Sequence, residues 1–248
     1  ICWAPLEGTE DQVELLVRGG RSAQFESFHF LRTQMAVNQD RQLAFVSESQ
    51  SQDVIYIWDL ENRQQEQRLA FDGIIGLSSP SWSPDGQRIV FSGQNQAGVS
   101  DLYIIERASG NLIKLTNDIY EDREPDWSPD GNLIVFSSDR TDGGEFHGWH
   151  NLYTIAPESG VIVGLTVGAH NDLAPAWSPD GKWLAFTSDR DTGVDIYLMD
   201  QERRTHRLTR VATGVMDPSW TSNSESLLFT GFEGFQFQVC RIDIPDSL

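Results

Sequence analysis

Apolar residues in this chain fall in short runs that recur at a near-constant spacing, with polar turn residues between them. The most regular run ends in a Phe: Phe91 in "RIVFSG", Phe136 in "LIVFSS" and Phe186 in "WLAFTS", with weaker copies at Phe45 ("QLAFVS") and Phe229 ("LLFTG"). Successive Phe positions lie 46, 45, 50 and 43 residues apart. A second apolar run follows each, at 54–60, 101–107, 151–157, 195–201 and 238–244. Three units then close with a third, at 114–118, 164–168 and 207–210. The runs are rich in β-branched and aromatic residues, and no 3.6-residue apolar stripe appears, so they read as strands.

The turns repeat as well. "WSPDG" stands at 82–86, 127–131 and 177–181. Pro, Asp and Gly in this order suit a tight reversal, with Gly free to take a positive φ. Each unit therefore reads as strand A (Pro-x-Trp-Ser), turn, strand B (the Phe run), loop, strand C (the Tyr run), turn, strand D (the Leu-Thr run). Four antiparallel strands per repeat are the pattern of a β-propeller blade. Sandwich strands would not share a motif at a fixed period. The expected fold is all-β, a β-propeller of four-stranded antiparallel blades in a single domain over 1–248. Its units are a partial blade at 1–32, blades at about 33–72, 73–118, 119–168 and 169–212, and a partial blade at 213–248.

Residues 80–118 ("PSWSPDGQRIVFSGQNQAGVSDLYIIERASGNLIKLTND") and 175–209 ("PAWSPDGKWLAFTSDRDTGVDIYLMDQERRTHRLT") resemble the propeller repeat of the TolB family. The resemblance implies six blades, a bacterial periplasmic or cell-envelope setting, and a protein or peptide partner. Similar propellers belong to prolyl-oligopeptidase-type enzymes and tricorn protease. On this resemblance the chain is expected to be an excerpt of a six-bladed parent, possessing further domains in the case of a peptidase. A five-bladed ring, closed by N-terminal strands pairing with the last unit, is the alternative.

Composition narrows the function. A net charge of −19 over 248 residues argues against a nucleic-acid partner, whose phosphates need a basic surface, and disfavours an anionic membrane. No apolar run is long enough to span a bilayer, and no signal peptide is expected in this chain. Cys2 and Cys240 both fall at the Tyr position of strand C and are expected as buried free thiols rather than a disulfide. No Gly-x-Ser-x-Gly elbow or His-Glu-x-x-His pattern is present, so no catalytic residues and no resident cofactor are assigned.

In a propeller the D–A and B–C loops emerge on one face and the A–B and C–D turns on the other. Candidate binding residues follow from that. The positions just before the strand-A Pro are Ser79, Glu124, Ala174 and Asp217, and Asp122 and Asp172 lie two residues before Glu124 and Ala174. Carboxylates converging on one axis suit a cation such as calcium or a basic partner segment. Solvated loop carboxylates are the bland alternative.

One B–C loop is long: Phe136 to Tyr153 spans 17 residues, against 11 or 12 elsewhere. The extra segment, 141–151, carries Glu145, Phe146, His147, Trp149 and His150, chemistry suited either to a partner contact or to a locally packed loop. His147-x-x-His150 lacks Cys partners and is not assigned as a metal site. "SDR" at 138–140 and 188–190 is expected to tie loops together through Asp139, Arg140, Asp189 and Arg190. Asp189, Asp191 and Asp195 match a calcium loop only loosely. Trp82, Trp127, Trp177 and Trp220 are expected between blades. The resulting reading is a non-catalytic protein- or peptide-binding scaffold. The alternatives are a gating propeller of a peptidase and a small-ligand or glycan binder.

Overall fold

A strand buried on both faces needs apolar side chains at successive positions, and the Phe runs supply them. Ile89 and Phe91 point into a core shared with the preceding sheet, whereas Val90 points into a core shared with the following one. The computed structural model describes residues 1–4, 13–17, 34–141 and 148–245. Its regular elements are all strands. β1 (Cys2–Trp3) and β2 (Glu14–Leu15) pair as a two-stranded sheet. Four sheets of four strands follow. They are β3 (Ala36–Val37), β4 (Gln42–Ser49), β5 (Gln52–Asp59) and β6 (Gln64–Leu69); then β7 (Ile74–Trp82), β8 (Arg88–Asn95), β9 (Ser100–Glu106) and β10 (Leu112–Lys114). Next come β11 (Asp122–Trp127), β12 (Ile134–Ser138), β13 (Asn151–Ile155) and β14 (Ile162–Gly164); then β15 (Asp172–Trp177), β16 (Leu184–Ser188), β17 (Asp195–Met199) and β18 (Thr205–Arg207). A three-stranded sheet, β19 (Val215–Trp220), β20 (Ser226–Glu233) and β21 (Gln236–Asp243), ends the series.

Every pairing is antiparallel between strands consecutive in the chain. The first strand of each sheet packs on the first strand of the one before: β7 on β3, β11 on β7, β15 on β11 and β19 on β15. This is a propeller of antiparallel blades, with strand A at the axis. Hydrophobic cores lie between blades, each built from strands B and C of one blade and strands A to C of the next. The repeat ruler holds in register, because Phe45, Phe91, Phe136 and Phe186 sit opposite Tyr56, Tyr103, Tyr153 and Tyr197, and Phe229 sits opposite Cys240. The five-bladed closure does not form among the described residues. Ile1, Leu16 and Val17 pack instead beside Phe45 and Tyr56 of the β3–β6 blade.

The "SPDG" turn is closed by its own side chains. Ser83 Oγ donates to Asp85 Oδ1 (2.6 Å) and accepts the Arg88 amide (2.9 Å), while the Gly86 amide donates to the Ser83 carbonyl (2.8 Å). Ser128 and Asp130, and Ser178 and Asp180, repeat the arrangement. The glycines have φ of +67°, +73° and +71° at Gly86, Gly131 and Gly181, the left-handed region where a Cβ is costly. The serine hydroxyls hold the carboxyls of Asp85 and Asp130 below the usual range. Trp127 and Trp177 pack in the cores between blades, and the other two strand-A tryptophans also bond across. Trp82 Nε1 donates to the Ala36 carbonyl (3.1 Å) and Trp220 Nε1 to the Ala176 carbonyl (3.0 Å), each on the preceding blade.

Candidate functional site

Antiparallel order within each blade puts the D–A and B–C connections at one end and the A–B and C–D turns at the other. At the D–A end, strand A carries a bulge in four blades. The register shifts between Ser78 and Ser81, Arg123 and Asp126, Leu173 and Ala176, and Met216 and Ser219. Inside each bulge the residue before Pro is left-handed without being Gly: Ser79 (φ +50°), Glu124 (+55°), Ala174 (+49°) and Asp217 (+55°). A bulge inserts one residue and turns the local amide out of the ladder. Freed in this way, the Glu124 amide donates to Ser92 Oγ of the preceding blade (3.1 Å), and the Ala174 amide donates to Glu124 Oε2 (2.7 Å). Glu124, aligned by sequence with a binding mouth, therefore links its own blade to both neighbours. Asp217 is exposed on the last blade; the protein crowded beside it pushes its carboxyl up, and Gln34 opposes this with a hydrogen bond.

Deeper along the axis, Asp126 joins three consecutive blades. Its Oδ1 accepts from Ser81 Oγ and its Oδ2 from the Trp177 amide, both at 2.8 Å. Protein surrounds the carboxylate, and the residue as a whole is half-buried. Desolvation pushes its pKa up to about 6, against the pull of its hydrogen bonds from Trp177, Ser81 and Trp127.

Asp122 and Asp172 require correction as binding residues. Both are fully buried. Arg140 Nη2 grips the two oxygens of Asp122 at 2.7 and 2.6 Å, and Arg190 Nη2 grips those of Asp172 at 2.8 and 2.9 Å. Burial raises the Asp122 carboxyl and Arg140 opposes the rise. A carboxylate sealed beneath its own guanidinium is not presented to a partner. The "SDR" element thus does what its chemistry implies: Asp139 Oδ1 accepts the Glu121 amide (2.8 Å), Asp189 Oδ1 accepts the Asn171 amide (2.7 Å), and each following Arg closes on a strand-A Asp. The loose calcium loop dissolves in the same way. Asp195 is buried and accepts from Arg207 Nη2 and Thr209 Oγ1, and Asp191 accepts from the Tyr197 hydroxyl. The cysteines are free, but Cys2 is exposed and Cys240 partly buried, because the strands that would cover them on the other blades are not beside them among the described residues.

Of the long B–C loop, Glu145, Phe146 and His147 lie outside the described residues. Trp149 is 40% exposed, and His150 is buried beside Arg123, whose Nη2 lies 2.6 Å from its Nε2. Sequence reasoning passed over four further side chains at this end. Ile119 (82% exposed) and Val167 (90%) stand on D–A loops, and Val194 (40%) and Phe235 (95%) on B–C connections. An apolar residue inside an otherwise polar loop was their only signal. No helix among the described residues is long and apolar enough to cross a membrane.

Comparison with known proteins agrees with this architecture. Residues 31–146 match the family described as the TolB beta propeller domain. No curated protein matches the chain. The crystal structure of TolB from Acinetobacter baumannii superposes with a TM-score of 0.71 at 24% identity, over 84% of this chain and 51% of that one. The structure of a putative TolB from Agrobacterium tumefaciens gives 0.72 at 21%, over 86% and 77%. A puromycin-hydrolyzing peptidase from Mycobacterium tuberculosis gives 0.65 at 15%, over 84% and 36%. The chain thus spans about half the length of the first of these, and at such identities the likeness is one of fold. The chain is a β-propeller that resembles the TolB type, and its residues 31–146 carry the TolB propeller repeat.

Proposed function

We propose that the chain is a non-catalytic scaffold that binds a protein or peptide through its D–A and B–C loops, in a bacterial cell envelope. The unequal apolar exposure of the two ends of the ring carries this reading. Ile119, Trp149, Val167, Val194 and Phe235 expose apolar surface at one end, against Val161 on a C–D turn at the other, where the "SPDG" turns satisfy their own polar groups. Exposed apolar and aromatic side chains on loops held by a rigid scaffold are the usual material of a partner contact. A net charge of −19 favours a partner with a basic rim. Likeness to TolB supports the envelope setting.

A second reading, a gating propeller of a larger peptidase, is favoured by the likeness to the mycobacterial enzyme. It calls for a hydrolase segment in the same polypeptide, which the full-length gene would reveal. The scaffold reading is tested by placing a photo-crosslinking residue at position 149 or 167, and separately at 130 or 180, in the host cell. Adducts with a discrete protein from 149 and 167 but not from 130 and 180 support it. The reverse pattern puts the working surface on the other face.

A further inference from the structure

We propose that Glu121, Asp139 and His150 form a site for one divalent cation of the zinc class, for which Arg123 is the built-in competitor. The inference does not depend on the scaffold reading.

The repeats act as an internal control. In the β15–β18 blade, Asp189 is satisfied by a single residue: Asn171 donates its amide to Oδ1 (2.7 Å) and its side-chain Nδ2 to Oδ2 (2.8 Å). The neighbouring positions there are Leu173 and Val194, both apolar. The matching register, Asp122 opposite Ser138 and Asp172 opposite Ser188, makes Asp139, Glu121, Arg123 and His150 their counterparts in the β11–β14 blade. Asp139 keeps the backbone bond, from the Glu121 amide at 2.8 Å. The side chain that closed the arrangement has become a carboxylate, which accepts and cannot donate. The β15–β18 blade closes this place with Asp189 and Asn171 alone; the carboxylate of Glu121 and the imidazole of His150 are absent from it.

One ligand atom from each of Glu121, Asp139 and His150 lies within 4.8 Å of the others. Asp139 is 5% exposed and His150 is 8%, so two of the three donors are held in the wall. The Glu121 side chain is 41% exposed and gives an ion a way in. An imidazole nitrogen with two carboxylates is a donor set for a borderline divalent ion, with a position left for water. Arg123 approaches the same atoms. Its Nη2 lies 3.0 and 2.6 Å from the two ring nitrogens of His150, its Nη1 lies 3.7 Å from Glu121, and its buried Nε has no hydrogen-bond partner. The guanidinium is drawn here by the Glu121 carboxylate, so the place favours positive charge, and an ion would have to displace it.

The test is calorimetric titration of the 248-residue chain with zinc chloride, in a Cys2→Ser, Cys240→Ser background that removes thiol ligands. Cobalt(II) serves as the absorbing probe. A single saturable site is expected, with the visible cobalt bands of nitrogen and oxygen ligation. His150→Ala should weaken it by at least about ten-fold. Arg123→Leu, the residue found at this position in the next blade, should tighten it by about ten-fold or more, since a unit positive charge leaves the site. Circular dichroism checks each variant. Where His150→Ala fails to fold, Glu121→Gln, at a partly exposed side chain, decides by the same loss. No saturable binding to either the parent or Arg123→Leu overturns the proposal. Affinity unchanged by both His150→Ala and Glu121→Gln also overturns it. Binding that appears only once Arg123 is removed makes the cluster Arg123's own ion-pair pocket, and again overturns it.

Discussion

Asp126→Asn isolates the cost of a carboxylate held at the axis of the ring. Its folded-state pKa of about 6 stands above the usual 3.8. The folded protein therefore holds the proton more tightly than the unfolded chain does. The sign follows: below the unfolded pKa the group costs nothing, between the two values stability falls as pH rises, and above the folded value the whole cost is present. The whole shift is worth about 3 kcal/mol, and the part gained between about pH 4.5 and about pH 7.5 is about 2 kcal/mol. Both are upper values, because the residue is only half-buried.

An Asn fits the same bonds. Its oxygen can accept the Trp177 amide, and its NH₂ can donate to Ser81 Oγ, whose hydrogen is free to rotate. Any residual loss of bond strength is independent of pH. Urea unfolding of both proteins at the two pH values and constant ionic strength gives the difference of differences, with other titrating groups common to both. The variant should gain about 2 kcal/mol relative to the parent on going from the lower to the higher pH. Parallel stability curves would refute the idea that desolvation dominates at Asp126.

Three further outcomes are expected. Gly131→Ala, at φ +73°, should lose about 1 kcal/mol, read as a lower melting temperature. Arg41 and Ser224 occupy the same turn position at φ +58° and +61°, so a loss much above that would point to something other than backbone strain. Arg140→Leu leaves the fully buried Asp122 without its guanidinium and should cost about 3–5 kcal/mol; an unchanged denaturation midpoint would mean that Asp122 is protonated or reached by water. Trp149→Ala should weaken the partner found by crosslinking by about 2 kcal/mol or more while leaving the melting curve unchanged. A variant that simply unfolds would instead make Trp149 part of a packed loop.

What the sequence by itself determined is whatever repeats locally. The Phe runs, the Tyr runs and "WSPDG" depend on alternation and turn chemistry within a few residues, so the strands and the left-handed glycines could be read without coordinates. The "SDR" pairing was legible in kind, since an Asp and an Arg closing a strand have to find charge partners. Which carboxylates stay free was not legible. Asp122 and Asp172 sit in acidic loops in the sequence, but the residue that neutralises each lies 18 positions away and reaches it only when strand B folds back along strand A. The strand-A bulge was equally hidden. Ser79, Glu124, Ala174 and Asp217 share no side-chain property; what they share is their place in the bulge that strand A makes against strand B. Exposure of Ile119, Val167 and Phe235, and the meeting of Glu121 with Asp139 and His150, also belong to tertiary structure. Local chemistry specifies which backbone conformations a segment favours, whereas burial and charge pairing depend on which distant segment arrives beside it.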